Sequence, residues 1–313
     1  MKIGVQIPTT GGLPSELGVV RMGRLAEDAG ADSVWVNDHV VMVKGGLDGS
    51  RSPYPFSDDG VPWWPADMPW YECLTAASFL AATTRECRVG TSVLILPQRN
   101  VLELAKATAT LDALSGGRLV LGIGVGWFAE EMEALGYRFE TRGRRTDEMI
   151  ELLKRCWTGR PHPFEGEEVW LSEGLVFEPR PAQPGGPAIL VGGMSSAALR
   201  RAAVRGDGWL AFHKDDSNLG QLVEPIRVLR ELRDEAGRSD DPFRTVLRIR
   251  SSSETASRLP GLVPRVKELG FGEVIVDLPW HRLDQATKLL SDLKTSVRPV
   301  GSAESAVGDG HPE

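Results

Sequence analysis

The sequence predicts an α/β chain closed into a (β/α)8 TIM barrel. Short β-branched runs alternate with helix-length amphipathic segments from end to end, the pattern of parallel strands joined by helical crossovers. The units number eight with no break half-way, which favours a closed barrel over an open sheet. The length agrees, since 313 residues is ordinary for one such barrel.

The elements follow in order. Residues 3–7 form the first strand. A helix over 15–30 follows, stopped by Gly30, because glycine takes the left-handed turn that ends helices. The second strand, 34–37, runs into a long irregular stretch at 43–68. A helix is expected over 69–84, a strand over 87–96, a helix over 101–114 and a strand over 118–123. Helical segments at 128–135 and 144–157 come next. The Pro-rich stretch 160–187 holds two strand-like runs, 168–171 and 175–178, read as an inserted hairpin. The remaining strands are 189–191, 209–212, 244–249 and 273–277. Their helices are 196–205, 219–236, 255–269 and 283–294. Residues 1–298 then make a single barrel domain, with insertions after strand 2 (43–68) and before strand 5 (160–187). The tail 299–313 is Gly, Ser, Ala and acid, has almost nothing to bury, and is expected to be disordered.

Composition narrows the function classes. At 41% apolar and 25% charged the chain is ordinary for a globular protein, and its net charge is −7. A non-specific nucleic-acid or anionic-membrane binder would want a basic field, so neither partner is expected. No apolar run approaches the ~18 residues of a membrane span, and no long apolar run follows the N-terminal Lys2 as in a signal peptide. Cys73, Cys87 and Cys156 are odd in number and at no metal-ligand spacing. That pattern fits free thiols in a reducing compartment, and a cytoplasmic location is expected.

Barrel active sites sit at the C-terminal ends of the strands. The second strand ends in Asn37-Asp38-His39, a carboxylate and an imidazole well placed for acid–base work. The plainer reading is that Asp38 caps the barrel mouth and His39 hydrogen-bonds to it, and the two stand level. His213 also follows a strand and can face the mouth. His162, His281 and His311 lie in the insertion, near the last helix and in the tail, and no spacing resembles a metal site.

Three further features lie on the same face. Gly122, Gly124 and Gly126 alternate through the fourth strand end. Gly124 to Ala129 superficially fits a dinucleotide fingerprint, but it falls mid-chain without the βαβ context that motif needs. One face bare of side chains either admits a planar ring close to the backbone or allows tight packing, and both readings stand. Gly192-Gly193-Met194-Ser195-Ser196 opens a helix. Such a turn binds an anion through free N–H groups, or simply caps the helix through a serine. The stretch 54–71 holds Tyr54, Phe56, Trp63, Trp64, Trp70 and Tyr71. It reads as a lid or wall of an apolar pocket, with an oligomer interface as the alternative. Arg142, Arg144 and Arg145 open a helix with Asp147 and Glu148, a run that is most simply a solvated face.

Taken together these residues resemble the luciferase-like flavin and deazaflavin oxidoreductases, over about residues 1–280. The carriers are Ser33-Val34-Trp35-Val36-Asn37-Asp38-His39, Arg88-Val89-Gly90-Thr91-Ser92-Val93 and Leu111-Asp112-Ala113-Leu114-Ser115-Gly116-Gly117-Arg118. Leu121-Gly122-Ile123-Gly124-Val125-Gly126-Trp127, Arg142-Gly143-Arg144-Arg145, Ile189-Leu190-Val191-Gly192-Gly193 and Gly206-Asp207-Gly208-Trp209 continue the likeness. The chain is most similar to the branch assigned to coenzyme F420, a 5-deazaflavin hydride carrier. The resemblance implies that Asp38 contacts the cofactor and that His39 donates or accepts a proton beside the reacting carbon. It implies a non-prolyl cis peptide at Ser92-Val93 behind the ring. Val125, Gly126 and Trp127 would line that ring. Gly192, Gly193, Met194 and Ser195 would hold the phosphate.

One position departs from the pattern. Sugar-phosphate dehydrogenases of this family carry a glutamate acid where this chain has Trp127, which makes a phosphosugar an unsuitable substrate. Trp63, Trp64, Trp70 and His213 are expected to line a pocket for an apolar or aromatic small molecule. The resulting expectation is an F420-dependent oxidoreductase, a homodimer as is usual for the family. The alternatives are a reduced-FMN monooxygenase served by a separate reductase, and a non-catalytic flavin or deazaflavin carrier. Oxygen consumption coupled to turnover marks the first, and failure of every substrate marks the second.

Overall fold

The computed structural model describes residues 1–214, 218–251 and 255–297. The tail expected to be disordered, 299–313, lies outside the described residues. In chain order the elements are β1 (Lys2–Gln6), α1 (Val19–Asp28), β2 (Ser33–Val36), α2 (Cys73–Thr83), β3 (Arg88–Thr91), β4 (Leu94–Ile95) and α3 (Val101–Leu114). Then come β5 (Leu119–Gly124), α4 (Ala129–Ala134), α5 (Arg142–Cys156), β6 (Phe164–Glu165), β7 (Trp170–Leu171), β8 (Ala188–Gly192) and α6 (Ser196–Arg205). The chain continues through β9 (Gly208–Lys214), α7 (Val223–Glu235), β10 (Arg244–Arg250), α8 (Leu259–Glu268), β11 (Glu273–Asp277) and α9 (Leu283–Ser296).

The main sheet is parallel throughout, in the order β3-β2-β1-β11-β10-β9-β8-β5, and β5 pairs back onto β3 through Val89↔Leu119 and Gly90↔Val120. The sheet therefore closes, as the eightfold alternation predicts. The expected strand 87–96 is real but broken. β3 and β4 are separated by Ser92 and Val93, whose peptide bond is cis.

Other departures have local causes. The helix expected from residue 69 begins only at Cys73, because Trp70 is bridged antiparallel to Thr10 and the Glu72 carboxylate caps the Thr75 N–H at 2.7 Å. The hairpin expected from 168–171 and 175–178 is instead β6 against β7, with the register Phe164↔Leu171. Glu148 of α5 dictates this, accepting the backbone N–H groups of Glu167, Glu168 and Val169 at 2.9–3.0 Å and so folding the turn between the two strands.

Two apolar layers hold the barrel. The outer one packs helices onto strands. The inner one is Trp35, Val120, Leu190, Leu210, Val246 and Ile275, with Val93 against its upper edge. Trp35 is the plug. A Cβ at Gly90 would stand 2.2 Å from its ring, and one at Gly4 2.7 Å from its indole nitrogen, so both strands need glycine for the indole to lie inside. Its N–H donates to Ser33 Oγ at 2.7 Å. With that end filled, the opposite mouth, where the strands end, is left for chemistry. Among the described residues no helix is long and apolar enough to cross a membrane.

Candidate active site

His39 follows β2 at the mouth and is 6% exposed. Its Nδ1 lies 2.7 Å from Oε2 of Glu131, a residue of α4 that is fully buried. The other oxygen, Oε1, accepts the backbone N–H of Val40 at 2.5 Å and of Val41 at 3.3 Å. One carboxylate thus holds both the imidazole and the loop that carries it. The sequence reading placed no acid here after losing the glutamate at 127. Glu131 of α4 supplies one. Local spacing carried no signal for it, because Trp127 lies in the loop before α4 and Glu131 within the helix.

Asp38 is engaged by the protein through both carboxylate oxygens. Its side chain is fully buried; Oδ2 accepts the Ile95 N–H at 2.9 Å, and Oδ1 the Arg99 guanidinium at 2.6 Å. Burial pushes its carboxyl above the ordinary range, with Arg99 pulling the other way. Both oxygens are spent on the segment after the Ser92-Val93 bond. In this geometry Asp38 positions that segment.

The glycine face resolves toward packing. A Cβ at Gly124 would meet Val93 at 2.7 Å, and one at Gly192 would meet the same side chain at 2.7 Å. The two glycines, on adjacent strands β5 and β8, make room for Val93, which the cis bond projects over the strand ends. A ring entering the mouth meets this half-buried isopropyl group rather than bare backbone. Ser92, Val125, Gly126 and Trp127 are half-buried around it. Arg142 donates to the Gly126 carbonyl at 3.3 Å, and its guanidinium stacks on Phe139, so it supports the loop under Trp127. Arg144 pairs with Glu167 and Glu168, and Arg145 binds the carbonyls of Pro97, Arg99 and Glu168. The Arg run is thus a brace between loops.

The aromatic stretch folds over the mouth. Trp70 meets the His39 ring edge-on at 4.6 Å between centroids, and Trp64 and Trp127 lie at 6.0 and 6.1 Å. Tyr54 packs against both Trp64 and Trp127, and Phe56 reaches Phe212 of β9. Trp64 is buried, and the indole nitrogens of Trp64 and Trp70 have no hydrogen-bond partner among the described residues. Trp63 is 60% exposed, with Arg250 over its ring, and packs edge-on against Trp64 at 5.6 Å between centroids. His213 is buried near the end of β9.

On the far side of the mouth Arg248 binds Asp277 at 2.8 Å and the Gln6 side-chain oxygen Oε1, and Thr9 reaches Asn37 at 2.5 Å. This polar floor had no signature in the sequence. At α6, Ser195 is the N-cap, accepting the Ala198 N–H at 3.3 Å, while Met194 packs on the core. Gly193 has φ +119°, and Ser195 and Ser196 remain exposed. Among the described residues no group of His, Cys, Asp and Glu is arranged to hold a metal.

A model of the luciferase-like monooxygenase family matches residues 1–257. The chain belongs to the luciferase-like monooxygenase family. Relatives of this luciferase-like protein include an uncharacterised protein of Mycobacterium tuberculosis, 35% identical over 82% of this chain and 83% of that one. An F420-dependent glucose-6-phosphate dehydrogenase of Kineococcus radiotolerans is 32% identical over 72% of this chain and 61% of that one. Among solved structures, an F420-dependent secondary alcohol dehydrogenase superposes with a TM-score of 0.75 at 16% identity, covering 95% of this chain and 99% of that one. The oxygenating constituent of 3,6-diketocamphane monooxygenase from Pseudomonas putida, a type II Baeyer–Villiger enzyme bound to FMN, gives 0.70 at 15% identity, covering 96% and 98%. The family and its relatives make the chain an oxidoreductase of this fold, with F420 and FMN both in use among its neighbours.

Proposed function

We propose that this luciferase-like protein is a coenzyme F420-dependent oxidoreductase acting on an apolar or aromatic small organic substrate. The observation that carries the reading is His39, buried among Trp64, Trp70 and Trp127 beside the Val93 wedge and held through Nδ1 by Glu131. The F420-dependent relative at 32% identity supports the choice of cofactor over FMN.

The residues fit a phosphate-bearing deazaflavin in two respects. Val93, seated on Gly124 and Gly192, makes an apolar rest for a planar ring. The first turn of the ten-residue α6 has exposed Ser195 and Ser196 behind a glycine at φ +119°, a conformation favouring glycine, and leaves N–H groups for an anion. Ser92, Val93, Val125, Gly126 and Trp127 would bound the ring, and Gly192, Gly193 and Ser195 the phosphate. Bound coenzyme F420 supplies a two-electron hydride exchange. This chain's part is to hold the reactants, shed water through the aromatic wall, and move one proton at His39. Asp38 acts at one remove, anchoring through Ile95 and Arg99 the segment that bears Val93.

A reduced-FMN monooxygenase is the second reading, favoured by the FMN-bound neighbour and needing a separate reductase. Titration of the apo-protein with each cofactor, followed by tryptophan quenching, separates them. Tight F420 binding with weak FMN binding is expected, and the reverse order overturns the first reading. His39→Ala should bind F420 normally and lose about 10²–10⁴ in turnover; unchanged turnover removes His39 from the mechanism. We also propose a homodimer closed by α2, whose outer face, Thr75, Ser78, Phe79 and Ala82, is small or apolar, with Phe79 58% exposed.

A further inference from the structure

We propose that Glu131 is the positioning residue that sets the tautomer of His39 and so decides which ring nitrogen meets the substrate. The inference deepens the reading of His39 as the proton-transfer group and rests on it.

Three contacts carry the argument. Glu131 is fully buried, so its carboxylate must be satisfied by protein groups. Oε1 accepts from two backbone N–H groups, Val40 and Val41, which are donors and nothing else. Oε2 faces His39 Nδ1 at 2.7 Å, the short range of a charge-assisted bond. A carboxylate only accepts, so the proton in this contact sits on Nδ1. The neutral ring then carries its lone pair on Nε2.

That nitrogen has no protein hydrogen bond among the described residues, and Trp64, Trp70 and Trp127 pack about the His39 ring. In the oxidising direction Nε2 takes the proton of a substrate hydroxyl while the hydride leaves the same carbon for the oxidised cofactor. The C–H and O–H bonds break, a carbonyl forms, and the imidazolium keeps both N–H bonds. In the reducing direction the same Nε2–H returns its proton to the carbonyl oxygen as the hydride arrives from the reduced cofactor. In both, the Glu131 carboxylate at 2.7 Å holds Nδ1–H.

Glu131 lies in α4, whereas Trp127 lies in the loop before that helix. The second task of Glu131 is to tie Val40 and Val41, so the loop cannot swing His39 away.

The test is the 15N–1H correlation spectrum of histidine-labelled protein, with the His39 signal assigned by its loss in His39→Gln. The expected wild-type pattern at neutral pH is that of the Nδ1–H tautomer. Glu131→Gln keeps an oxygen for Val40 and Val41 but turns an amide N–H₂ toward Nδ1, so the ring should flip to the Nε2–H tautomer. Turnover in that variant should fall about 10²–10⁴-fold with KM nearly unchanged, as expected for a base in the wrong tautomer. Glu131→Asp, too short to span both contacts, should lose the fixed tautomer as well. An Nε2–H pattern in the wild type, or the same pattern in wild type and Glu131→Gln, overturns the proposal. These spectra need no cofactor. Failure of F420 to bind would therefore sink the proposed function and leave the tautomer result standing.

Discussion

At the scale of single residues, burial gives ordinary side chains particular tasks. Asp38, Glu131 and Glu273 are carboxylates taken out of water, and each is surrounded by donors. Asp38 and Glu131 spend theirs at the mouth. Glu273 sits at the plugged end, accepting the Ser33 hydroxyl and, at 3.3 Å, the Trp35 indole N–H. Burial pushes the Glu273 carboxyl above its usual range, and the bonds from Ser33, the nearby Arg88 charge and Trp35 offset this only in part. An acid with a raised folded pKa keeps its proton longer in the native state than in the unfolded one. Stability therefore falls as pH rises from the unfolded carboxyl range, about 4.3, through the raised folded value. Glu273→Gln has no proton to lose there. Urea midpoints followed from about pH 4.5 to 7 should decline in the wild type relative to the variant. Parallel curves would assign the pH dependence to other groups.

At the scale of elements, the sequence pattern is most reliable where a helix or strand is long and periodic. The helix at Val101–Leu114 and the strand at Glu273–Asp277 appear with the expected bounds, since their apolar spacing and their ends are local properties. Short elements escape that logic. The runs at 168–171 and 175–178 have similar strand character, yet the ribbon forms from β6 and β7 because the Glu148 carboxylate gathers three successive N–H groups of the turn. Glu148→Ala should loosen this ribbon alone. Amide exchange around Trp170 and Leu171 should quicken while the barrel strands hold, with a global loss of about 1 kcal/mol. A uniform rise across the barrel would show that the ribbon and barrel unfold as one.

At the scale of the whole molecule, Phe79 is among the large apolar side chains left exposed in the described residues. The outer side of α2 presents Phe79 to solvent, and the proposed second copy would bury it. Phe79→Glu should convert the protein to a monomer in light scattering, with the fold intact by circular dichroism; a wild-type monomer would end the proposal. The sequence by itself determined the barrel and the end of it that bears the site, because strand and helix periodicity are short-range and eight repeats leave few ways to close. It also marked Asp38, His39, the glycine strand ends and the aromatic stretch as neighbours of one mouth. Only the tertiary structure decided what these residues do to one another. Glu131 is 92 positions from His39, and Ile95 is 57 from Asp38. Val93 fills the space above Gly124 and Gly192, and Trp63 turns outward while Trp64 turns in. Such pairings depend on which strand ends become adjacent when the sheet closes and on which buried acceptor each donor then finds, and neither is encoded in local spacing.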